Sequence, residues 1–175
     1  SGSADIFEYF GFDLGSDPVK VADMIEKIGI GFMFAPTFHP AMKNVANARR
    51  ILGKRTAFNL LGPLSNPANV KHQLVGVFAD DYIKRIVKIM QKNDSETILA
   101  VRSEDGMDEL SVTSKNKVCM LKNDKITEFI INPEDYDIEK GNLSDIQVST
   151  KQEAIDVFLS VLNNTSNKTM KNITV

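Results

Sequence analysis

Between His72 and Val101 the chain runs from an apolar stretch through an amphipathic one to a second apolar stretch, and this pattern limits the fold most. Leu74 to Phe78 reads as a buried strand. Asp80 or Asp81 then caps a helix that carries Ile83, Ile86, Val87 and Met90 on one side. Thr97 to Val101 is a second buried strand. A strand, a crossover helix and a strand within about 30 residues return the second strand parallel to the first. Further on, Val118 to Leu121 and Ile126 to Ile131 flank Lys122-Asn123-Asp124-Lys125, the signature of a hairpin. The expected fold is therefore α/β: a central sheet with parallel strands flanked by helices, plus a β-hairpin. No internal repeat or low-complexity linker divides it, so one α/β unit over residues 1–175 is expected.

Helices fill the first third. A short one capped by Ser3 or Ser1 should stop at Gly11, and Ser16-Asp17-Pro18 opens another that ends at Gly29 with Val21, Ile25 and Ile28 on one face. His39-Pro40-Ala41-Met42 opens a third, running to Leu52 with Gly53 as its stop. Its stripe Ala41, Val45, Ala48, Leu52 is the expected buried face. Met42, Ala46 and Arg49 form the neighbouring stripe, so Met42 and Arg49 look the same way. Residues 59–69 hold two prolines and a glycine and read as an ordered irregular loop. Ile155, Phe158, Leu159 and Leu162 mark a last amphipathic helix.

Composition bounds the function. Of 175 residues 42% are hydrophobic and 25% charged, enough for a core without disulfides or a structural metal. The single cysteine, Cys119, has no internal partner, which points to a reducing compartment. No run approaches a membrane span and no leader is recognisable, so a cytoplasmic protein off the membrane is expected. Twenty-one basic against 23 acidic residues give a net charge of −2, with no global pull toward nucleic acid. The ends, Ser1-Gly2-Ser3-Ala4-Asp5 and Met170 to Val175, read as cuts in something longer.

Two local clusters oppose one another within that balance. Lys43, Arg49, Arg50, Lys54 and Arg55 form the basic one, either a solvated helix face or an anion-binding surface. It contains no aromatic residue to stack on bases. Arg49 differs from its neighbours because it shares a stripe with Met42 and Ala46. A planar fork of donors beside apolar surface suits an aromatic carboxylate. The acidic cluster, Glu104-Asp105-Gly106-Met107-Asp108-Glu109, follows the second strand directly. Ligand sites of α/β sheets lie outside the carboxyl ends of strands. Asp108 and Glu109 there could hold Mg²⁺ with phosphate oxygens and water, or form a plain solvated turn. His39 and His72 are far apart and no Cys-x-x-Cys occurs, which excludes the usual zinc spacings. No glycine-rich dinucleotide or P-loop motif and no nucleophile elbow is present.

The segment FMFAPTFHPAMKNVANARRILGKRTAFNLLGPLSNP, residues 32–67, resembles the anthranilate phosphoribosyltransferase family. Gly2-Ser3-Ala4-Asp5 and Glu104 to Leu110 match the same family in order and spacing. The resemblance implies the larger, α/β domain of that fold. It implies transfer of a phosphoribosyl group from phosphoribosyl pyrophosphate to anthranilate, with release of pyrophosphate, in tryptophan biosynthesis. By position, Arg49 corresponds to the arginine that binds the anthranilate carboxylate and Ser3 to a serine contacting phosphoribosyl pyrophosphate. Asp108 and Glu109 correspond to the acidic pair that binds Mg²⁺, and Met42 and Pro63 to positions along the anthranilate path. No residue stands out as a general acid or base.

The family's helical domain, its glycine-rich phosphate loop and its final helices have no counterpart in these 175 residues, so the chain alone is expected to be inactive. The family's homodimer forms through that helical domain. Two other readings remain: a non-catalytic nucleic-acid-binding relative of the fold, against which the acidic balance weighs, and a pyrimidine nucleoside phosphorylase. The substrate of the latter has no carboxylate for Arg49 to bind.

Overall fold

The computed structural model of the chain describes residues 2–54, 56 and 58–174, with Lys43 described by its backbone. In chain order the helices α1 Ser3–Tyr9, α2 Pro18–Ile28, α3 Ala35–Phe38, α4 Lys43–Leu52 and α5 Phe58–Leu64 come first. Then follow β1 His72–Gly76, α6 Asp80–Lys92, β2 Thr97–Ser103, β3 Asn116–Lys122, β4 Lys125–Ile131, α7 Lys151–Leu162 and α8 Lys168–Thr174. By its contacts the chain divides into two compact units, residues 1–59 with 149–158, and residues 60–148 with 159–175.

The second unit carries the expected sheet. Its order is β1-β2-β3-β4, with β1 and β2 parallel and the remaining pairs antiparallel. Ile83, Ile86, Val87 and Met90 of α6 pack on Val75, Val77, Ile98, Ala100, Cys119 and Leu121, all buried. Each such aliphatic side chain taken from water contributes about 1.5–3 kcal/mol, which makes this layer the main stabiliser of the unit. Lys122 pairs with Lys125 across the hairpin, and Asn123 and Asp124 between them take φ of 49° and 59°. That two-residue left-handed turn matches the twist of the strands it joins.

Two expectations fail here. β1 is an edge strand buried on one face only: Val75 meets α6, whereas Leu74 points to the opposite face and is 60% exposed. Neither Asp80 nor Asp81 caps α6, because Ala79 holds the cap position. Asp80 instead begins the helix and pairs with Arg102 of β2 at 3.0 Å and with Lys117 of β3.

In the first unit, Asp17 caps α2 by accepting from the backbone N–H groups of Val19 (2.6 Å) and Lys20 (3.3 Å), and Gly29 closes it with φ of 80°. Val21 is buried, while Ile25 and Ile28 of the same stripe are exposed. Phe7, Phe12 and Phe32 gather their rings at 4.2–6.0 Å, and Lys151 bridges Asp5 (3.3 Å) and Glu8 (2.7 Å) of α1. Ser3 is the first helical residue rather than a cap; Gly2 precedes it, its N–H bound by the Asp5 carboxylate at 3.1 Å.

The stripe of α4 expected to be buried is not. Ala41, Ala48 and Leu52 are exposed and Val45 half-buried, while Met42 and Arg49 of the neighbouring stripe are half-buried. Periodicity identifies an apolar face but not whether anything covers it. Residues 59–69 also depart from an irregular loop, because α5 takes in Gly62 and Pro63. Pro63 sits in its last turn, and the Ser65 hydroxyl donates back to the Leu61 carbonyl at 2.6 Å. Among the described residues no helix is long and apolar enough to cross a membrane.

Candidate functional site

The acidic turn lies where the second unit's two parallel strands end. β2 finishes at Ser103, and the chain then folds back so that the Ser103 N–H donates to the Met107 carbonyl at 3.0 Å. Gly106, with φ of 97°, permits the reversal. From the neighbouring strand end, Gly76 lies under the turn. A Cβ built there would stand 1.9 Å from the Asp108 carbonyl oxygen, so only glycine fits.

Inside the turn, the Asp105 carboxylate accepts from the hydroxyls of Ser103, Ser111 (2.5 Å) and Thr113 and from the Met107 N–H (3.1 Å). Dehydration alone would push this carboxyl up, but the three hydroxyls and the Met107 N–H outweigh it and hold Asp105 well below the usual carboxylate range. Beside it, the buried Asn116 side chain accepts from the Ser111 N–H (2.6 Å) and donates to the Ser111 carbonyl (2.8 Å).

Asp108 and Glu109 stand out on this frame. Both are exposed, and among the described residues neither carboxylate accepts a hydrogen bond or pairs with a cation. Partial dehydration, then the Asp108 charge beside it, raises the Glu109 carboxyl above its ordinary value. Among the described residues no group of three or more metal-ligating side chains forms. Two free carboxylates therefore fit a hard cation that keeps water and phosphate oxygens for its other positions, as Mg²⁺ does, and do not fit a closed protein cage.

The basic cluster belongs to the first unit. Ala46, Arg49, Arg50, Gly53, Lys54 and Asn59 line an open concavity of about 450 Å³. Arg50 donates to Asn47 at 3.0 Å. Arg49 has no hydrogen bond or ion pair among the described residues, and its guanidinium carbon lies 5.9 Å from the centre of the Phe58 ring. A half-buried guanidinium on an aromatic face with its donors unspent is arranged to take a carboxylate. The side chain of Lys43 and all of Arg55 fall outside the described residues.

Of the other expected site residues, Met42 ends the short turn Pro40–Met42 before α4, and Ser3 is exposed at the start of α1; both belong to the unit of Arg49. Pro63 belongs to the unit of Asp108 and Glu109, its carbonyl bound by Gln73 at 3.2 Å. Sequence reasoning does not single out Gly76, Asp105, Asn116 or Phe58. The cluster of hydroxyls in Ser111, Thr113 and Ser114, a few residues after Asp105, is the available signal for it.

All 175 residues match the family described as Glycosyl transferase family, a/b domain. The chain belongs to that family. This a/b domain is 57% identical over 170 residues to an anthranilate phosphoribosyltransferase of Nitrosopumilus maritimus, covering 97% of the chain and 49% of the relative. Its fold matches the crystal structure of anthranilate phosphoribosyltransferase from Thermus thermophilus with a TM-score of 0.86, at 32% identity over 98% of this chain and 50% of that one. An anthranilate phosphoribosyltransferase of Saccharomyces cerevisiae in complex with 4-fluoroanthranilate matches with a TM-score of 0.85, at 25% identity over 98% and 51%. The a/b domain spans about half the length of the relatives it matches.

Proposed function

We propose that this a/b domain is part of an enzyme that transfers the phosphoribosyl group of phosphoribosyl pyrophosphate to the amino group of anthranilate, releasing pyrophosphate. The observation that carries the reading is Arg49: a half-buried guanidinium over Phe58, without an acidic partner among the described residues, in an open basic concavity. The relatives named as anthranilate phosphoribosyltransferases, one with a fluorinated anthranilate bound, supply the matching ligand.

Arg49 holds the anthranilate carboxylate and so orients the amino group, a positioning role rather than acid–base chemistry. Met42 and Pro63 line the approach of the aromatic ring, and Ser3 contacts phosphoribosyl pyrophosphate. Asp108 and Glu109 would hold Mg²⁺ together with phosphate oxygens. When bound, the cation offsets the negative charge that grows on the departing pyrophosphate as the ribose becomes oxocarbenium-like. The remainder of the enzyme, with its phosphate loop and the helical domain through which it dimerises, lies outside these 175 residues.

Replacing Arg49 by Ala in the intact enzyme tests the reading. A charge-assisted pair is worth about 1.5–3 kcal/mol, so KM for anthranilate should rise roughly ten- to a hundredfold while KM for phosphoribosyl pyrophosphate stays level. An unchanged KM for anthranilate refutes the role of Arg49.

A further inference from the structure

We infer that Asp105 is a positioning residue for the cation-binding pair: its carboxylate ties together the two flanks of the turn that presents Asp108 and Glu109. The inference rests on the proposed metal role of that pair. Asp105 reaches back to the Ser103 hydroxyl at the end of β2 and to the Met107 N–H just before the pair. Its second oxygen takes the Ser111 and Thr113 hydroxyls just after the pair. The two exposed carboxylates thus sit on a segment whose ends converge on one anionic group.

That group has no capacity left for a metal. Each carboxylate oxygen already accepts two hydrogen bonds, so Asp105 is not itself a ligand of the exposed site. Ser103, Ser111 and Thr113 are buried, and Asn116 holds the Ser111 backbone from the other side, so each hydroxyl that turned away would leave the carboxylate one donor short in a poorly hydrated place. The absence of a side chain at Gly76 lets the Asp108 carbonyl lie close against β1, where a Cβ would stand 1.9 Å from it. With no hydrogen bond of their own among the described residues, Asp108 and Glu109 inherit their placement from this frame. Groups that orient metal ligands typically change metal affinity about 10–100-fold when removed.

Mn²⁺ titrations of the intact protein, read by electron paramagnetic resonance with and without pyrophosphate, test this. Measurements are made below the melting transition of each variant. Asp105→Asn and Asp105→Glu should both weaken Mn²⁺ about tenfold, and Asp108→Asn should weaken it further. Weakening by Asp105→Asn with wild-type affinity in Asp105→Glu would reveal a bulk charge effect and overturn the inference. So would variants that melt earlier but bind Mn²⁺ as the wild type does. If Asp105→Asn does not fold, Thr113→Val, which keeps the charge and removes one donor, should weaken Mn²⁺ about two- to threefold. Unchanged affinity there overturns the inference. A wild-type protein that binds no Mn²⁺ in either condition refutes the metal role of Asp108 and Glu109 itself, a result distinct from the failure of Asp105.

Discussion

The acidic turn and the basic concavity are built in opposite ways. The turn lies at the ends of two parallel strands, and its frame is a satisfied polar knot in which Ser103, Ser111, Thr113 and Asn116 are buried around the half-buried Asp105. The concavity lies on α4, a helix whose Ile51 and Leu52 are 75% and 57% exposed and none of whose described side chains is among the buried core. Arg49 lies over a ring from the next helix and, among the described residues, makes no hydrogen bond or ion pair. A preassembled frame suits a group whose task is to hold charge at fixed distances. A loosely supported helix belongs to the low-stability end of a fold, from which ligand-binding segments are commonly drawn. The comparison predicts that the same kind of change costs stability at the turn and binding at the concavity.

Gly76→Ala should have the largest effect. With the Asp108 carbonyl in the way, the turn or β1 must move, at about 3 kcal/mol in urea unfolding. A fully stable Ala variant would mean that the turn does not lean on β1. Asn116→Ala comes next, at about 2 kcal/mol, because it leaves the buried backbone groups of Ser111 unpaired. An effect on stability as small as that of a surface change would break the contrast between the regions.

Acid should act on the turn in the same direction. The folded Asp105 carboxyl lies far below its unfolded value of about 3.9. Its contribution is therefore complete above about pH 4 and fades as the pH falls toward the folded value. Unfolding free energy measured between about pH 4.5 and 2 should fall less steeply in Asp105→Asn than in the wild type. Equal slopes would place the acid sensitivity elsewhere.

The concavity should respond differently. Phe58→Leu removes the ring beneath Arg49 and should raise KM for anthranilate about two- to fivefold, for a cation–π contact of roughly 0.5–1 kcal/mol, with kcat little changed. Leu52→Ala, on the exposed face of α4, should alter stability by no more than about 0.5 kcal/mol. A large loss there would show that α4 is packed after all.

What the sequence reveals and what it hides divides along the same line. The β1–α6–β2 unit and the β3–β4 hairpin are legible because their signals are local: an apolar period, and an Asn-Asp pair that tolerates positive φ. Asp17-Pro18 announces α2 for the same reason. Leu74 and the apolar stripe of α4 mislead, because a pattern cannot say which face acquires a neighbour. Pro63 misleads too, since α5 runs through it although proline has no N–H to give to the helix. The candidate ligand-binding residues Arg49, Asp108 and Glu109 are readable from charge and context. The residues that support them are not, because Gly76, Phe58 and the hydroxyls around Asp105 act only once distant segments meet.

Transfer itself is the most direct test. The intact enzyme, supplied with anthranilate, phosphoribosyl pyrophosphate and Mg²⁺, should consume anthranilate fluorescence and yield phosphoribosyl anthranilate and pyrophosphate in equal amounts. Absence of that product, together with phosphate-dependent cleavage of a pyrimidine nucleoside, would contradict the account and favour the phosphorylase reading.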